Sequence, residues 1–291
     1  MSSSTATTPV FPVSPVPNNP LGQDRHIKTA AALIIGDEIL NGKTLDRNSN
    51  YFARFCFELG IDLKRIEVIA DDEDEIIEAS RRMVNTYDFV ITSGGIGPTH
   101  DDITYASLAK SFHQELAYHD ETLARMEESI RHRTSFAQQT EEQRIARKRM
   151  ALFPNAAEVL FVASDIWVPV VRLQGKLCIF PGIPSLFQKM LDNLKPFLPL
   201  PPADSRPCRV QVFTNLPESS IAPYLTALQK RVSSANIRVG SYPMLRQGVY
   251  VSLIGADRER VAEVAEEVTK ELQGRIVSEE EAEAKRRSGS A

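Results

Sequence analysis

The chain of 291 residues has few of the side chains that build metal centres or disulfide frameworks. Its three cysteines, Cys56, Cys178 and Cys208, are widely separated and form no Cys-x-x-Cys pair. Its five histidines show no metal-ligand spacing. Structural zinc and a disulfide-stapled fold are therefore both disfavoured. The sequence also contains no Gly-x-Ser-x-Gly motif, so nothing supports acyl-enzyme chemistry.

Long apolar runs and a large excess of one charge are also missing. No apolar run approaches the roughly 20 residues of a membrane span. The net charge is only −4. We therefore expect no membrane partner and no nucleic-acid partner. The amino terminus has no basic segment followed by an apolar core, which disfavours a secretory signal. These absences favour a cytoplasmic location and leave a mitochondrial one open.

What is present is a regular alternation of strand and helix patterns, in a chain of ordinary globular composition with 42% hydrophobic and 25% charged residues. Strand-type runs alternate with amphipathic helical patterns in the order 29–35, 48–59, 62–70, 72–84, 87–93 and 101–112. Strands separated by helices pair in parallel through right-handed crossovers. The sequence therefore predicts an α/β fold with a mainly parallel sheet.

Composition divides the chain into four segments. Residues 1–25 are rich in Ser, Thr and Pro, which is typical of a disordered arm. Residues 26–200 hold the main α/β pattern, including a charged, all-helical excursion at 119–149. A proline-rich stretch then leads to a small α/β domain at 201–275. Residues 276–291 form a charged tail that we expect to fray.

The stretch GDEILNGKT, which comes directly after the first strand, resembles a phosphate-binding P-loop. A P-loop places four residues between its first Gly and the Gly-Lys-Ser/Thr end, whereas here there are five, from Asp37 to Asn41. Asp37 and Glu38 would also repel a bare phosphate, by roughly 4 kcal/mol for charges about 4 Å apart at an effective dielectric of 20. We interpret the stretch as an acidic loop associated with a metal, and not as a P-loop.

A second loop, TSGGIGPTHDDIT, lies at the end of the third strand. Its glycines, Gly94, Gly95 and Gly97, allow close approach of the backbone to a ligand. It is not a dinucleotide fingerprint, because His100 stands where Gly or Ala is needed. Asp101 and Asp102 are adjacent and point in different directions on a first helical turn. We predict that Asp102 caps the next helix and that Asp101 faces the ligand.

Both acidic loops leave strands of the predicted parallel sheet, where ligands bind beyond the carboxyl ends. Carboxylates and amides from two neighbouring loops suit a hard cation that bridges to a substrate phosphate. The predicted cofactor is Mg²⁺ or another divalent metal, held by Asp37, Asp46 and Asp101. Asp37 and Asp101 are also the predicted catalytic residues.

These motifs resemble a known family. The patterns GDEIL.G...D.NS and SGGIGPTHDDIT are similar to the MoaB/Mog molybdopterin-binding fold, and most similar to CinA-type proteins and the amino-terminal domain of eukaryotic FAD synthases. Four further stretches extend the likeness over about residues 28–255; they are RMALFPNAAEVL, LCIFPGIPSLFQKML, NLPESSIAPYLTAL and VGSYP. The resemblance implies a three-layer α/β/α domain joined to a small α/β domain, with a possible homo-oligomer.

The resemblance also implies the ligand-binding residues and the ligand. Those residues are Asn48, Ser93, Gly94, Gly95, Gly97, Thr104, Pro181 and Gly182. The implied ligand is a small-molecule nucleotide or pterin. This chain departs from the pattern in one place: relatives usually carry a Gly-Thr pair where it has FVASDIWVPV, without glycine. That departure favours binding without turnover.

Three functions remain open. The first is metal-dependent hydrolysis of a pyrophosphate bond in FAD or an ADP-ribose-like dinucleotide. The second is a role in molybdenum-cofactor biosynthesis, and the third is a molybdopterin- or nucleotide-binding module without turnover. The residues after 275 are too few for an adenylyltransferase domain, so we do not expect a complete FAD synthase.

Three other features are given structural rather than functional interpretations. Trp167 is expected to be a core residue rather than a stacking platform. The basic run at 131–150 is interpreted as a solvated helix face, although some of its arginines could reach a phosphate. His100 is expected to be a surface loop residue.

Overall fold

The computed structural model describes residues 9–131, 138–244, 247–278 and 281. The chain divides into two compact units, Met1–Pro201 and Pro202–Ala291. Along the described parts, no helix is both long and apolar enough to cross a membrane.

The first unit is built on a six-stranded sheet in the order β2-β1-β3-β8-β7-β6. Its strands are β1 (Thr29–Ile35), β2 (Asp62–Ile69), β3 (Phe89–Ser93), β6 (Glu158–Leu160), β7 (Val170–Leu173) and β8 (Leu177–Phe180), with a separate two-stranded pair β4 (Leu116–Tyr118) and β5 (Leu152–Pro154). The four strands from β2 to β8 pair in parallel, and β7 and β6 extend the sheet in antiparallel fashion. The mainly parallel sheet is confirmed.

Seven α-helices of the first unit lie in the described residues. They are α1 (Asp37–Leu40), α2 (Asn48–Glu58), α3 (Glu73–Thr86), α4 (Thr104–Ser111), α5 (Asp120–Ile130), α6 (Glu141–Lys148) and α7 (Pro184–Leu194). The predicted elements between 29 and 112 all occur, and the short α1, β4, β5 and β6 were not predicted. Such short elements give too few residues to establish a period.

The sheet is covered on both faces, which makes the first unit a three-layer α/β/α domain. Successive residues of β1 alternate between two cores, so that Ala32 and Ile34 lie in one and Leu33 and Ile35 in the other. The first core includes apolar side chains of α2 and α7. The second includes those of α3 and α4. Strand β1 is buried on both faces, as expected for a central parallel strand.

The prediction that residues 1–25 form a disordered arm is wrong for the part that the structure describes. The backbone N–H of Phe11 donates to the carbonyl of Ser164 at 2.7 Å, and that of Ser14 donates to Phe161 at 2.9 Å. The guanidinium of Arg125 lies 3.5 Å from the centre of the Phe161 ring. Apolar residues interspersed among the prolines, such as Phe11, therefore give this segment something to bury. Residues 1–8 lie outside the described residues.

The second unit has a four-stranded sheet in the order β10-β11-β9-β12. Its elements are β9 (Cys208–Thr214), α8 (Glu218–Val232), β10 (Arg238–Met244), β11 (Gly248–Gly255), α9 (Arg258–Glu271) and β12 (Arg275–Val277). The helices and the sheet share one apolar core, which includes Leu228 and Val264. Strand β12 extends beyond residue 275, so the predicted charged tail begins too early. Most of that tail lies outside the described residues.

Candidate functional site

Three adjacent parallel strands end at one edge of the main sheet. Strands β1, β3 and β8 are neighbours in the sheet, so the segments that leave their carboxyl ends meet. These segments begin at Gly36, Gly94 and Pro181. The two loops predicted from the sequence thus lie together, and the segment that follows β8 lies beside them.

The glycine loop after β3 fits only because its residues lack side chains. Gly94 has φ +112°, and a β-carbon there would overlap the carbonyl oxygen of Ile35. Gly95 has φ +65°, and a β-carbon there would overlap the hydroxyl oxygen of Thr104. A β-carbon on Gly182 would lie 3.4 Å from the Cα of Gly94. The backbone of three strand ends is therefore packed at van der Waals distance.

Three predicted ligand-binding residues hold these loops together instead of lining the cavity. Thr104 donates its backbone N–H to the Gly95 carbonyl at 3.0 Å and its hydroxyl to the Gly94 carbonyl at 2.9 Å. Asn48, which is only 6% exposed, donates from Nδ2 to Ser93 Oγ at 2.8 Å and to the Gly182 carbonyl at 2.9 Å. Asn48, Ser93 and Thr104 therefore position the glycine backbone.

The structure shows neither of the roles expected of Asp101 and Asp102. Asp102 accepts hydrogen bonds from the backbone N–H groups of Gly97, at 2.6 Å, and of Thr99, at 2.8 Å, and from the Thr99 hydroxyl. It therefore braces its own loop and lines the cavity. Asp101 is exposed and does not line the cavity. Helix α4 begins later than expected, at Thr104, with no side-chain cap, so the helix needs neither aspartate.

A cavity of about 530 Å³ opens beside the glycine loop. Its size is within the usual range for a small-molecule site, about 300–1,000 Å³. It is lined by Glu38, Gly94, Gly95, Ile96, Gly97, Pro98, Asp102, Tyr105, Met150, Trp167, Val168, Pro181, Gly182, Ile183 and Leu186. Five of the predicted ligand-binding residues are in this lining, namely Gly94, Gly95, Gly97, Pro181 and Gly182.

The apolar wall of the cavity was missed by sequence reasoning. Trp167 is half-buried and faces the cavity, together with Met150 and Leu186. The expectation that Trp167 is a core residue is therefore wrong. A signal was available, because Trp167 is the only tryptophan and lies in the segment that lacks the usual Gly-Thr pair.

Several carboxylates gather next to the glycine loop. The Asp71 carboxylate accepts a hydrogen bond from the Asp37 backbone N–H at 3.0 Å. Burial raises the pKa of Asp71 above its usual value, and the charges of Asp37, Glu38 and Asp101 raise it further, while the Asp37 hydrogen bond opposes the shift. Asp71 was not predicted, although it comes after β2 in the same way that Asp37 comes after β1. This edge of the sheet is therefore strongly acidic.

The three predicted metal ligands do not form a ligand set. Asp37 and Asp101 are exposed. The Asp46 carboxylate accepts the backbone N–H groups of Asn48 and Ser49, at 2.9 and 3.0 Å, and so satisfies two donors at the start of α2. Among the described residues, no group of three or more His, Cys, Asp or Glu side chains is arranged to hold a metal ion. The described residues therefore provide no complete set of metal ligands.

The GDEILNGKT stretch is built differently from a P-loop. Residues 37–40 form the short helix α1, and the Thr44 backbone N–H donates to the Glu38 carbonyl at 2.9 Å. Lys43 is exposed and does not line the cavity, whereas Glu38 does. The cavity side of this loop is thus a carboxylate rather than a lysine.

Comparison with known proteins agrees with this arrangement. A family profile described as "Probable molybdopterin binding domain" matches residues 31–200, more than half of the chain. The chain belongs to this molybdopterin-binding domain family. A second profile, "FAD synthase, middle domain", matches residues 207–281.

Relatives of this molybdopterin-binding domain protein include two kinds of longer chain. It is 32% identical over 245 residues to a "Probable FAD synthase" of Caenorhabditis elegans, which covers 80% of this chain and 47% of that protein. It is 29% identical over 223 residues to a "Putative competence-damage inducible protein" of Clostridium botulinum, which covers 75% of this chain and 52% of the relative. The chain thus spans about half the length of the curated relatives it matches.

A solved structure shares the fold of the molybdopterin-binding domain. CinA of Thermoplasma acidophilum, a protein of unknown function, is 29% identical, with a TM-score of 0.50. The match covers 58% of this chain and 96% of CinA. The expected likeness to both CinA-type proteins and FAD synthases is confirmed.

Proposed function

We propose that the cavity binds a phosphorylated heteroaromatic compound, either a pterin or a nucleotide. The observation that carries this proposal is a cavity of about 530 Å³ whose lining includes both bare glycine backbone and Trp167. A flat ring stacks on an indole, and each base–aromatic stack is worth about 1–3 kcal/mol in nucleic-acid complexes. The N–H groups of Gly94 and Gly97 are already bonded, to the Phe180 carbonyl and to Asp102. Other backbone N–H groups of the loop would suit polar substituents of such a ring.

The charge of the cavity sets the orientation of this ligand. Within the described ranges, the cavity is lined by the carboxylates Glu38 and Asp102 and by no lysine or arginine. Arg149 is placed outside the lining, where its Nη2 donates to the Thr99 carbonyl at 3.4 Å. The ring would therefore occupy the cavity, and the phosphates would extend past the glycine loop towards such a cation.

Intrinsic fluorescence tests the binding proposal directly, because Trp167 is the single tryptophan of the chain. Titration with FAD, ADP-ribose or a pterin should quench the Trp167 emission in a saturable way. Calorimetry should show that Trp167→Ala weakens binding about 5- to 100-fold, whereas the control Trp167→Phe, which keeps an aromatic face, costs little. If both variants bind the ligand with unchanged affinity, the ligand binds outside this cavity.

We further propose metal-dependent hydrolysis of the pyrophosphate bond in FAD or an ADP-ribose-like dinucleotide as the second candidate function. It is favoured by the carboxylates of Asp37, Asp71 and Asp101, whose mutual repulsion contributes to the raised pKa of Asp71. The described residues form no complete metal cage, so Mg²⁺ would be shared between one or two of these carboxylates and the ligand's phosphates. Such an ion would neutralise the diphosphate and activate water.

Chromatography of products separates the two functions. Incubation of the pure protein with FAD or ADP-ribose and Mg²⁺ or Mn²⁺ should release AMP, and EDTA or Asp71→Asn should stop the release. Adenylylated molybdopterin tested in parallel addresses molybdenum-cofactor biosynthesis. Ligand binding with no product under any metal would contradict hydrolysis and leave a binding module.

A further inference from the structure

The carboxylate of Glu38 is a charged group in the cavity that the fold itself does not use. Glu38 lines the cavity, and no side-chain hydrogen bond or ion pair with the described part of the chain satisfies its oxygens. The second lining carboxylate, Asp102, is already bound to two backbone N–H groups and a hydroxyl. Glu38 therefore has hydrogen-bonding capacity to offer a ligand, and Asp102 has little.

The Glu38 side chain lies close to the backbone where β1 ends. Its Oε2 lies 2.7 Å from where a β-carbon on Gly36 would be, so the carboxylate lies against bare backbone at the end of β1. The backbone is held as well, because the Glu38 carbonyl accepts the Thr44 N–H at 2.9 Å. The loop thus presents one carboxylate to the same cavity that Trp167 lines.

A carboxylate with two free oxygens matches a ligand edge that carries two adjacent N–H donors. Two parallel N–H···O bonds of this kind are stronger and more directional than a single bond. The 2-amino-4-oxopyrimidine edge of guanine or a pterin presents such a pair. Adenine presents one donor beside an acceptor, and a flavin presents one N–H between two carbonyl groups. We infer that Glu38 is a specificity-determining residue that selects a 2-amino-4-oxopyrimidine ring.

This inference rests on the proposed function, since it needs a ring in the cavity. It assigns Glu38 to the ring and away from a metal ion. The two roles differ in a measurable way, because recognition of the ring edge needs no divalent cation. Recognition of the ring edge also depends on the exocyclic amino group, whereas binding of a phosphate through a metal ion would not.

Matched ligands test the role of the amino group in the full chain, in buffer with EDTA. IMP is GMP without this amino group, and lumazine is pterin with a carbonyl in its place. By calorimetry, wild-type protein should bind GMP at least about 10-fold more tightly than IMP, and pterin more tightly than lumazine. Equal affinities within each pair would overturn the inference, while saturable quenching of Trp167 would keep the proposed function.

A matched pair of variants tests the residue. Glu38→Gln keeps the shape but turns one acceptor into a donor that faces the ligand's own donors. It should lower the affinity for GMP about 10- to 100-fold, to the level of IMP, and change IMP binding little. Glu58→Gln makes the same change at an exposed residue outside the cavity, so it is the control and should change neither affinity.

Two results would overturn the assignment of Glu38. One is an equal loss of GMP and IMP affinity in Glu38→Gln. The other is a loss that appears only when Mg²⁺ is added, which would make Glu38 a metal ligand. Failure of all these compounds, FAD and ADP-ribose included, to bind would reject the proposed function together with the inference.

Discussion

At the scale of single residues, Asn48 connects the loops that form the cavity. Its one side-chain amide reaches both Ser93, at the end of β3, and Gly182, after β8. The Oδ1 of this amide is buried without a partner among the described residues, so the site depends on the amide donors. A residue of this kind acts on ligand affinity through the position of the backbone, and not through contact.

Substitution of Asn48 should therefore affect stability and binding together. Asn48→Ala removes both hydrogen bonds and leaves the Gly182 carbonyl without this donor, which should lower the free energy of unfolding by about 1–3 kcal/mol. Urea unfolding measures this loss, and titration of Trp167 fluorescence should show weaker ligand binding. Asn50→Ala, an exposed neighbour on the same helix, is the control. Unchanged binding in a destabilised Asn48→Ala variant would show that the loops hold their positions without this amide.

Asp71 predicts a pH dependence of stability. Its pKa is raised above the ordinary 3.8 by burial and by neighbouring acids. A raised pKa means that the folded state favours the protonated carboxyl, so this stabilisation is present below pH 3.8 and is lost as pH rises through the folded-state pKa. Asp71→Asn, which keeps an acceptor for the Asp37 N–H, should raise the melting temperature at pH 7. The gain should shrink as pH falls towards 3.8, as thermal unfolding at several pH values will measure. A gain that is independent of pH would contradict this account.

At the scale of elements, residues 9–25 behave as part of the domain. Arg125 is 5% exposed and donates from Nη2 to the Pro12 carbonyl at 2.8 Å. The same guanidinium stacks on Phe161 and lies 5.3 Å from the Phe11 ring centre. The segment thus shields Arg125 and its aromatic partner Phe161 from water.

Removal of this segment should destabilise the first unit. Deletion of residues 1–18 removes Phe11, Pro12 and the backbone pairing with Ser164, and should lower the melting temperature by several degrees. Deletion of residues 1–8 alone keeps every one of these contacts and is the matched control. Equal melting temperatures for the two truncated chains would show that the segment contributes nothing.

Whether an element could be predicted from the sequence has a physical explanation at this scale. Strands and helices with a clear period, such as β1 and α3, could be predicted, because burial imposes the period. The glycine loop could be predicted because positive φ and close approach leave only glycine. Three features could not be predicted, because each depends on partners distant in sequence or on the course of a loop. They are the position of Trp167, the roles of Asp101 and Asp102, and the packing of Phe11. Composition alone misread the amino-terminal segment, because prolines do not prevent apolar neighbours from packing.

At the scale of the whole molecule, the two units have separate apolar cores. The core clusters of the first unit involve residues up to Leu200, and the main cluster of the second begins at Cys208. Pro201 and Pro202 lie at the division between the units. Every residue that lines the cavity lies between Glu38 and Leu186, within the first unit. The lining of the candidate site therefore belongs to the first unit.

Separation of the units tests this conclusion. A fragment of residues 1–201 contains the complete six-stranded sheet and both of its cores, so it should fold and melt cooperatively. It should also bind FAD, ADP-ribose or a pterin within about threefold of the affinity of the full chain, as measured by quenching of Trp167. The fragment 1–201 with Trp167→Ala, titrated by calorimetry, is the control for binding elsewhere. If the folded fragment, with the circular dichroism of a native α/β domain, loses ligand affinity by more than about tenfold, the second unit contributes to the site, and the assignment of the cavity to the first unit alone is wrong.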